Sequence, residues 1–195
     1  MSIALRLDDV ALERALPLVA VGLEKYCRLR ETVQQTDVSR DREFQRRFNG
    51  FYRVRRNASW QAVFYGLLEQ QKAQRDSFAT VLRQLHAGTG RIEASFASKL
   101  TATVDPREPV IDAIVLQNLG LRLKATGQVE TRLASIVAIH DQIAALYSGY
   151  LATAAGGQLV KRFTDSYPNR NLTPVKMLDL VLWQVRPDAN ESGTT

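Results

Sequence analysis

The chain has 195 residues, of which 45% are hydrophobic and 24% charged, and this is typical of one globular domain rather than two. No apolar run approaches the roughly 18 residues that span a bilayer, and the first residues lack the basic start of a signal peptide, so we expect a cytoplasmic protein without membrane contact. The single cysteine, Cys27, excludes an internal disulfide, and His86 and His140 lack metal-binding spacing, so we expect no metal or other cofactor.

Apolar residues recur at helical spacing along the chain, and no stretch shows sustained strand alternation. The pattern predicts an all-α fold: a compact multi-helix single domain over residues 1–186 with a helix-hairpin-helix-like element. A polar, disordered tail is predicted over residues 187–195. The first helix is predicted from Val10 to Leu29, with Pro17 favouring a kink.

Three further helices are predicted in the next part of the chain, over residues 37–52, 60–85 and 92–104. Asn49-Gly50 favours a break within the first of them. Gly88-Thr89-Gly90 separates the second from the third, because such glycine pairs are typical of turns.

The remaining helices are predicted over residues 109–119 and 127–153, then as a short helix that ends at Phe163, and finally over residues 175–185. Asp105-Pro106 and Gly156-Gly157 are the predicted breaks between them. Thr173-Pro174 predicts the start of the last helix, because an N-cap followed by proline at the first helical position is a common helix start.

Positive charge is concentrated in one segment. The formal net charge is +6, and 20 of the 26 basic residues are arginine. A GC-rich genome would explain the preference for arginine over lysine, but not the seven arginines in residues 40–56. The planar guanidinium matches phosphate, so the segment favours a nucleic-acid partner over an acidic protein or a membrane surface. These arginines are Arg40, Arg42, Arg46, Arg47, Arg53, Arg55 and Arg56.

The segment Gly88-Thr89-Gly90-Arg91 joins two predicted helices. Two glycines one residue apart allow positive φ and close approach of another backbone. The next helix begins with free N–H groups and the positive end of its dipole, a combination that binds phosphate. Taken alone, an ordinary helix–helix turn with a glycine C-cap is the simpler interpretation.

Asp112 stands near an expected helix start, after a stiff connector that contains Pro106 and Pro109. A carboxylate in this place caps free N–H groups and opposes the helix dipole. On a rigid turn that faces a cleft, the same carboxylate stabilises a developing cation or activates a water. Capping is the simpler role, and both stay open at this point.

Aromatic side chains are interleaved with arginines around residues 48–60. Such a pattern suits stacking on bases and contact with phosphates. A buried aromatic stripe flanked by solvated arginines is an equally good interpretation. The candidates for a base pocket or a wedge in the base stack are Tyr52, Trp60 and Trp183.

Taken in order, the segment from Leu85 to Leu119 resembles the helix-hairpin-helix DNA glycosylase superfamily. The resemblance implies that the Gly-Thr-Gly hairpin grips the DNA backbone and that Asp112 promotes loss of a flipped base. Family members that also cut the strand carry a lysine just after the hairpin. The nearest positions here are Ile92 and Ser95, and Lys99 is expected to point elsewhere. The resemblance thus implies a monofunctional enzyme that leaves an abasic site.

The DNA-binding residues that follow from the charge and the resemblance are Gly88, Thr89, Gly90, Arg91, Arg53, Arg55, Arg56 and Lys99. The stretches 95–100 and 109–112 also resemble small bacterial proteins of glycosylase-like fold, some of which act in anti-phage defence against modified bases. Two non-enzymatic interpretations stay open: a helical nucleic-acid-binding or regulatory module, and a subunit whose basic face meets an acidic protein. No obligate protein partner is evident.

Overall fold

The computed structural model describes Leu5 and residues 7–185 and contains nine α-helices and no strand within that range. The helices are α1 (Asp9–Val33), α2 (Arg42–Tyr52), α3 (Ala58–Gln74), α4 (Phe78–Thr89), α5 (Ala94–Val104), α6 (Ala113–Asn118), α7 (Val129–Leu151), α8 (Ala154–Ser166) and α9 (Pro174–Leu182). The all-helical class is confirmed, and the helices share one hydrophobic core. Within the described range, no helix has the length and apolar character to cross a bilayer. The predicted disorder of residues 187–195 lies outside the described residues.

Local sequence explains where most of the helices begin. Seven of them follow an Asp, Asn, Ser or Thr whose side chain accepts a hydrogen bond from a backbone N–H of the first turn. Each such cap satisfies a donor that has no partner within the helix and contributes about 1 kcal/mol. The capping residues are Asp8, Asp41, Asn57, Ser77, Asp112, Thr153 and Thr173.

The core is built around aromatic side chains of α2 and α3. Phe44, Phe48, Phe64 and Tyr65 are at most 1% exposed, and their rings meet edge-on or tilted. Helix α9 is buried from its third residue onward and packs against α1, α6, α7 and α8. This packing brings the ends of α2 and α9 beside α1, α5 and the start of α6.

The single long helix predicted over residues 60–85 is wrong, because α3 and α4 are separate helices. Arg75 adopts the left-handed conformation, with φ of 51°, and Ser77 caps α4. The buried Gln71 holds this turn, since its side chain donates to the Asp76 carboxylate and accepts from the Asp76 N–H. A side-chain network, rather than glycine or proline, interrupts the helical pattern here.

Two glycine-containing dipeptides that predicted breaks lie inside helices instead. Asn49-Gly50 is within α2, and Gly156-Gly157 is within α8. The actual break comes earlier, where Thr153 caps α8. A Cβ at Gly156 would lie 2.3 Å from the Tyr150 carbonyl oxygen, so glycine permits the start of α8 to pack closely on the end of α7.

Candidate active site

An open cavity of about 320 Å³ lies where α1, α2, α5, α6 and the residues after α9 meet. Its lining contains five of the residues that the sequence singled out as site candidates. They are Tyr52, Arg53, Lys99, Asp112 and Trp183. Five separate parts of the chain contribute to this cavity, which has the size and the mixed apolar and polar character of small-molecule sites.

Asp112 both caps a helix and faces the cavity. Pro109 does not open the helix as predicted: residues 109–112 lie outside any helix, Asp112 has an extended backbone, and α6 begins at Ala113. The Asp112 carboxylate accepts a hydrogen bond of 3.0 Å from the Ile114 N–H. Its side chain is still 28% exposed and lines the cavity. The two interpretations of Asp112 are therefore compatible in one geometry.

Lys99 does not point elsewhere, contrary to the sequence-based expectation. Its residue is 7% exposed, and its Nζ lies 3.9 Å from Oδ2 of Asp112. The amine also lies over the rings of Tyr52 and Phe96, 5.6 Å and 5.4 Å from their centroids. Burial lowers the pKa of the Lys99 amine, the Asp112 carboxylate opposes this shift, and the Arg53 guanidinium adds to it.

A buried hydroxyl brings Lys99 and Asp112 together. Ser98 Oγ accepts a hydrogen bond of 2.9 Å from the Ile111 N–H and donates to the Ser95 carbonyl. This hydrogen bond holds the segment before α6 against α5. Lys99 follows Ser98 and Asp112 follows Ile111 in the chain, and both line the cavity. Ser98 is 0% exposed, so this bond lies in the interior.

Aromatic rings form one wall of the cavity. The Trp183 ring lies 5.8 Å from Phe51 and 6.0 Å from Tyr52, and Phe51 and Tyr52 meet edge-on at 4.6 Å. Trp60, the third aromatic candidate, lies in the core, where it stacks on Phe64 at 5.1 Å. Trp60 is therefore placed away from the lining, and Phe51 is a wall residue that the sequence did not single out.

The arginine-rich segment does not form one continuous cationic wall. Arg53 lines the cavity and is exposed, and Arg55 is exposed. Arg56 is engaged by both carboxylate oxygens of Glu93, at 2.9 Å and 3.1 Å. Two more members of the segment pair with acids on nearby turns, Arg40 with Asp37 and Arg47 with Glu43. Three of the seven arginines of the segment are thus paired with acids.

The Gly88–Arg91 segment lies at the junction of α4 and α5, which pack against each other, but its residues have mostly structural partners. Gly90 is the left-handed C-cap of α4, with φ of 69°. Gly88 lies within α4, and a Cβ there would come within 2.6 Å of Val63 Cγ1. The Thr89 hydroxyl donates to the Leu85 carbonyl. This geometry does not identify the turn as a DNA-binding hairpin.

Arg91 is also partly neutralised, because its Nε donates to Glu93, the acid that already binds Arg56. The charge around the cavity is different. Lys25, on α1, joins Arg53 and Lys99 in the lining, where Asp112 is the acidic counterpart. Three cations against one carboxylate favour an anionic ligand at this mouth. Sequence reasoning missed Lys25, since nothing in α1 distinguishes it from other surface lysines.

The described residues contain no group of three or more His, Cys, Asp or Glu side chains placed to hold a metal ion. The ionisable residues that line the cavity are Lys25, Tyr52, Arg53, Lys99 and Asp112, and among them Lys99 Nζ and Asp112 Oδ2 lie 3.9 Å apart. No family model, no functionally characterised protein and no solved structure matches this chain. A proposal for the function of the protein therefore rests on the chemistry of Lys99, Asp112 and their surroundings.

Proposed function

We propose that this chain is a DNA base-excision enzyme in which Lys99 is an amine nucleophile and Asp112 the carboxylate that assists it. The observation that supports the proposal is a buried amine, 3.9 Å from a carboxylate, in an open cavity with an aromatic wall. The resemblance of residues 85–119 to helix-hairpin-helix glycosylases points to the same class of reaction. The proposal includes DNA as the partner and the cytoplasm as the place of action.

Burial equips Lys99 for this role. A desolvated amine with a lowered pKa is neutral in a larger fraction of molecules, and only the neutral amine carries a lone pair for attack. The neutral amine attacks C1′ of a flipped nucleotide. The C1′–N bond breaks, and the base leaves with the bonding electrons and takes up a proton from water.

The sugar then opens. The Lys99 nitrogen loses a proton, and its lone pair then forms a double bond to C1′ as the C1′–O4′ bond breaks; the bonding electrons pass to O4′, which takes up a proton, and a protonated imine joins Lys99 to C1′. Removal of a C2′ proton expels the 3′ phosphate, and water hydrolyses the imine to restore the amine. The enzyme would therefore cut the strand as well as release the base. This replaces the monofunctional expectation, which depended on Lys99 pointing elsewhere.

Asp112 suits the cationic stages of this sequence. Its carboxylate faces the cavity and stabilises positive charge that builds on the sugar as the base departs. It also lies close enough to Lys99 to accept a proton from the attacking nitrogen after a small movement. The hydrogen bond from the Ile114 N–H holds the carboxylate in this orientation.

The other lining residues suit the rest of a nucleotide. Phe51, Tyr52 and Trp183 offer flat apolar surface for a base outside the stack. Lys25 and Arg53 lie at the mouth, where they would contact phosphates of the flanking strand. Some of the small bacterial proteins that the sequence resembles act on modified bases of phage DNA. Phage DNA with modified bases is therefore the substrate to test first.

Borohydride trapping tests the proposal. Duplexes that carry modified or unmodified bases are incubated with the protein and sodium borohydride, which reduces an imine to a stable protein–DNA adduct. We expect an adduct at Lys99, free base and a cut strand. Lys99→Met should abolish the adduct, Asp112→Asn should lower its rate about 100-fold or more, and Lys161→Met, at an exposed site on α8, should change neither.

The capping bond to Asp112 favours a second candidate, a DNA-binding module without catalysis, in which Lys99–Asp112 is a structural ion pair. That protein would bind duplexes with an affinity that falls as salt rises. It would give neither base release nor adduct with any DNA, modified phage genomes included. Lack of salt-dependent DNA binding would contradict both candidates and favour an acidic protein partner.

A further inference from the structure

Helix α1 carries an exposed apolar pair next to the candidate active site. Gly22 and Lys25 of α1 line the cavity. Leu18 precedes Gly22 by four residues and Val21 precedes Lys25 by four, so all four side-chain positions share one face of the helix. Leu18 is 57% exposed and Val21 is 71% exposed. The face that enters the cavity therefore continues outside it as an apolar surface.

This exposure is unusual for the molecule. Among the described residues, the other large hydrophobic side chains with comparable exposure are Val10 and Val129. Val10 lies near the start of α1 and Val129 at the start of α7, away from the cavity lining. Exposed apolar side chains that adjoin each other and a cavity mark an interaction surface more often than single ones do.

Basic residues bracket the apolar pair. Arg14 lies four residues before Leu18, and Lys25 lies four residues after Val21, so the four side chains form one stripe over about 16 Å. Within the described residues, no ion pair engages Arg14 or Lys25. The stripe thus presents apolar side chains between two cations.

Two acids that adjoin the stripe in sequence have arginine partners. Glu13 pairs with Arg162, which also pairs with Asp9, and Glu24 pairs with Arg28 and Arg170. Neither Glu13 nor Glu24 is paired with Arg14 or Lys25, so the stripe keeps its two positive charges. A polyanion with apolar surface between its charges fits this arrangement, and a DNA duplex opened at one base step is such a ligand.

We propose that Leu18 and Val21 form the wedge that enters the base stack beside the flipped nucleotide, with Arg14 and Lys25 on the flanking phosphates. This inference depends on the proposed function. Extruding a base leaves a gap in the stack, and proteins that open base steps insert apolar side chains there. Of the three aromatic candidates, Tyr52 and Trp60 are too buried to act as a wedge, at 5% exposed each, and Trp183 is part of the cavity wall. Leu18 and Val21 are the exposed apolar side chains next to the cavity mouth.

Opening of the stack and excision are measured separately. A duplex with 2-aminopurine beside the target position becomes more fluorescent when the stack opens, whether or not the base is then released. We expect the wild type to raise the fluorescence and the Leu18→Ser/Val21→Ser double variant not to. Base release from the paired duplex should fall about 10-fold or more, and release from the same base in single-stranded DNA should change less than about 2-fold, because no stack must be opened.

The matched control is Val10→Ser/Val129→Ser, which removes the same kind of exposed side chain at other places and should behave as the wild type. All four substitutions lie at exposed sites, so the variants should fold normally. Equal loss on paired and single-stranded DNA, or no loss on either, would overturn the wedge while leaving the proposed function standing. A wild type that opens the stack but releases no base would contradict the proposed function alone. A double variant that changed only self-association would make this face a protein interface instead.

Discussion

The amine of Lys99 lies 3.9 Å from the carboxylate of Asp112, and Arg53 lines the same cavity. The pKa of Lys99 falls below its ordinary value of 10.5, mainly because the amine is buried. Asp112 favours the protonated amine and raises this pKa, while Arg53 disfavours it and lowers the pKa. The two neighbours therefore act on one titration with opposite sign.

Substitution of these neighbours should move the reactivity of Lys99 in opposite directions along the pH axis. Asp112→Asn removes the group that raises the pKa, so the pH at which Lys99 becomes reactive should fall. Arg53→Gln removes a group that lowers the pKa, so that pH should rise. The measurement is the rate at which a small aldehyde and borohydride modify Lys99, followed by mass spectrometry between about pH 6 and pH 11. This range includes the ordinary lysine pKa of about 10.5 and roughly four pH units below it.

This measurement needs no DNA, so it tests the electrostatics of the cavity independently of the proposed activity. Modification of Lys161, an exposed lysine of α8, is followed in the same spectra and should respond to neither substitution. Shifts of Lys99 in the same direction for both variants would show that a change in burial, rather than the two charges, controls the amine.

Gly88 should prove necessary for packing rather than for contact with DNA. A Cβ at this position would lie 2.6 Å from Val63 Cγ1, so Gly88→Ala must displace Val63 or separate α4 from α3. We expect a loss of about 1–3 kcal/mol in the free energy of unfolding, the usual cost of overpacking. Chemical denaturation of the purified variant measures it.

The partner substitution distinguishes the two roles. Val63→Ala removes the obstructing methyl groups, so Gly88→Ala/Val63→Ala should be more stable than the sum of the single effects requires. The affinity of each variant for a DNA duplex should change only in proportion to the fraction of protein that is folded. A Gly88→Ala protein that was fully stable and had lost DNA binding would support the hairpin interpretation instead.

Those parts of the fold that depend on local chemistry could be predicted from the sequence. The helices that Asp8, Asn57 and Thr173 cap follow from a capping side chain and an apolar stripe, which are short-range features. The break after α3 could not be predicted, because it depends on the buried Gln71 side chain folding back on Asp76. Glycine pairs misled for the converse reason: Gly156 serves contact between helices rather than a turn.

The same distinction between local and long-range features applies to the residues of the candidate site. Asp112 was accessible from sequence because its position before a helix is a local signal. The orientation of Lys99 was not, since it depends on the bond between Ser98 and Ile111, which joins α5 to the segment before α6. Clustering of arginines in sequence was a poor guide for a related reason. Acids distant in the chain decide which of them remain unpaired, as Glu93 does for Arg56.

His140 should make the protein less stable in acid. Its ring is 3% exposed and stacks on Phe78 with 3.9 Å between centroids. Burial lowers the pKa of His140 from 6.5 to about 4, although Asp141 and a hydrogen bond with the Pro109 backbone oppose the shift. Between these two pKa values the unfolded chain binds a proton that the folded protein does not. Stability is therefore lost as pH falls from 7 toward 4, by about 3 kcal/mol in all.

Urea denaturation of the wild type and of His140→Gln across this pH range tests the assignment. Glutamine does not titrate, so the difference in unfolding free energy between the two proteins should shrink steadily as pH falls. Titrating groups distant from residue 140 contribute similarly to each curve and largely cancel in the difference, whereas Glu108, whose carboxylate lies 3.7 Å from His140 Nε2, is coupled to the substituted site. Parallel curves would mean that His140 accepts a proton in the folded protein as readily as in the unfolded chain.

The most buried charges of the described chain, Lys176 and Asp179, should show strong mutual dependence. Lys176 is 1% exposed and Asp179 is 0% exposed, and their Nζ and Oδ2 atoms lie 2.8 Å apart. Tyr147 donates to the other carboxylate oxygen at 2.8 Å. Burial alone would lower the pKa of Lys176, but Asp179 reverses the direction and raises it. The lysine is therefore charged in the folded protein, and its charge depends on the partner carboxylate.

Removing one partner leaves the other charge buried without compensation, so Lys176→Met and Asp179→Asn should each cost about 3–5 kcal/mol of unfolding free energy. The double variant Lys176→Met/Asp179→Asn leaves no buried charge and should cost less than the sum of the single variants. A matched control is Lys161–Asp165, an exposed pair with the lysine four residues before the acid, where Lys161→Met should cost less than about 0.5 kcal/mol. Additive single effects at Lys176 and Asp179 would show that the two groups titrate and pack independently, and that Tyr147 alone suffices to hold the buried carboxylate.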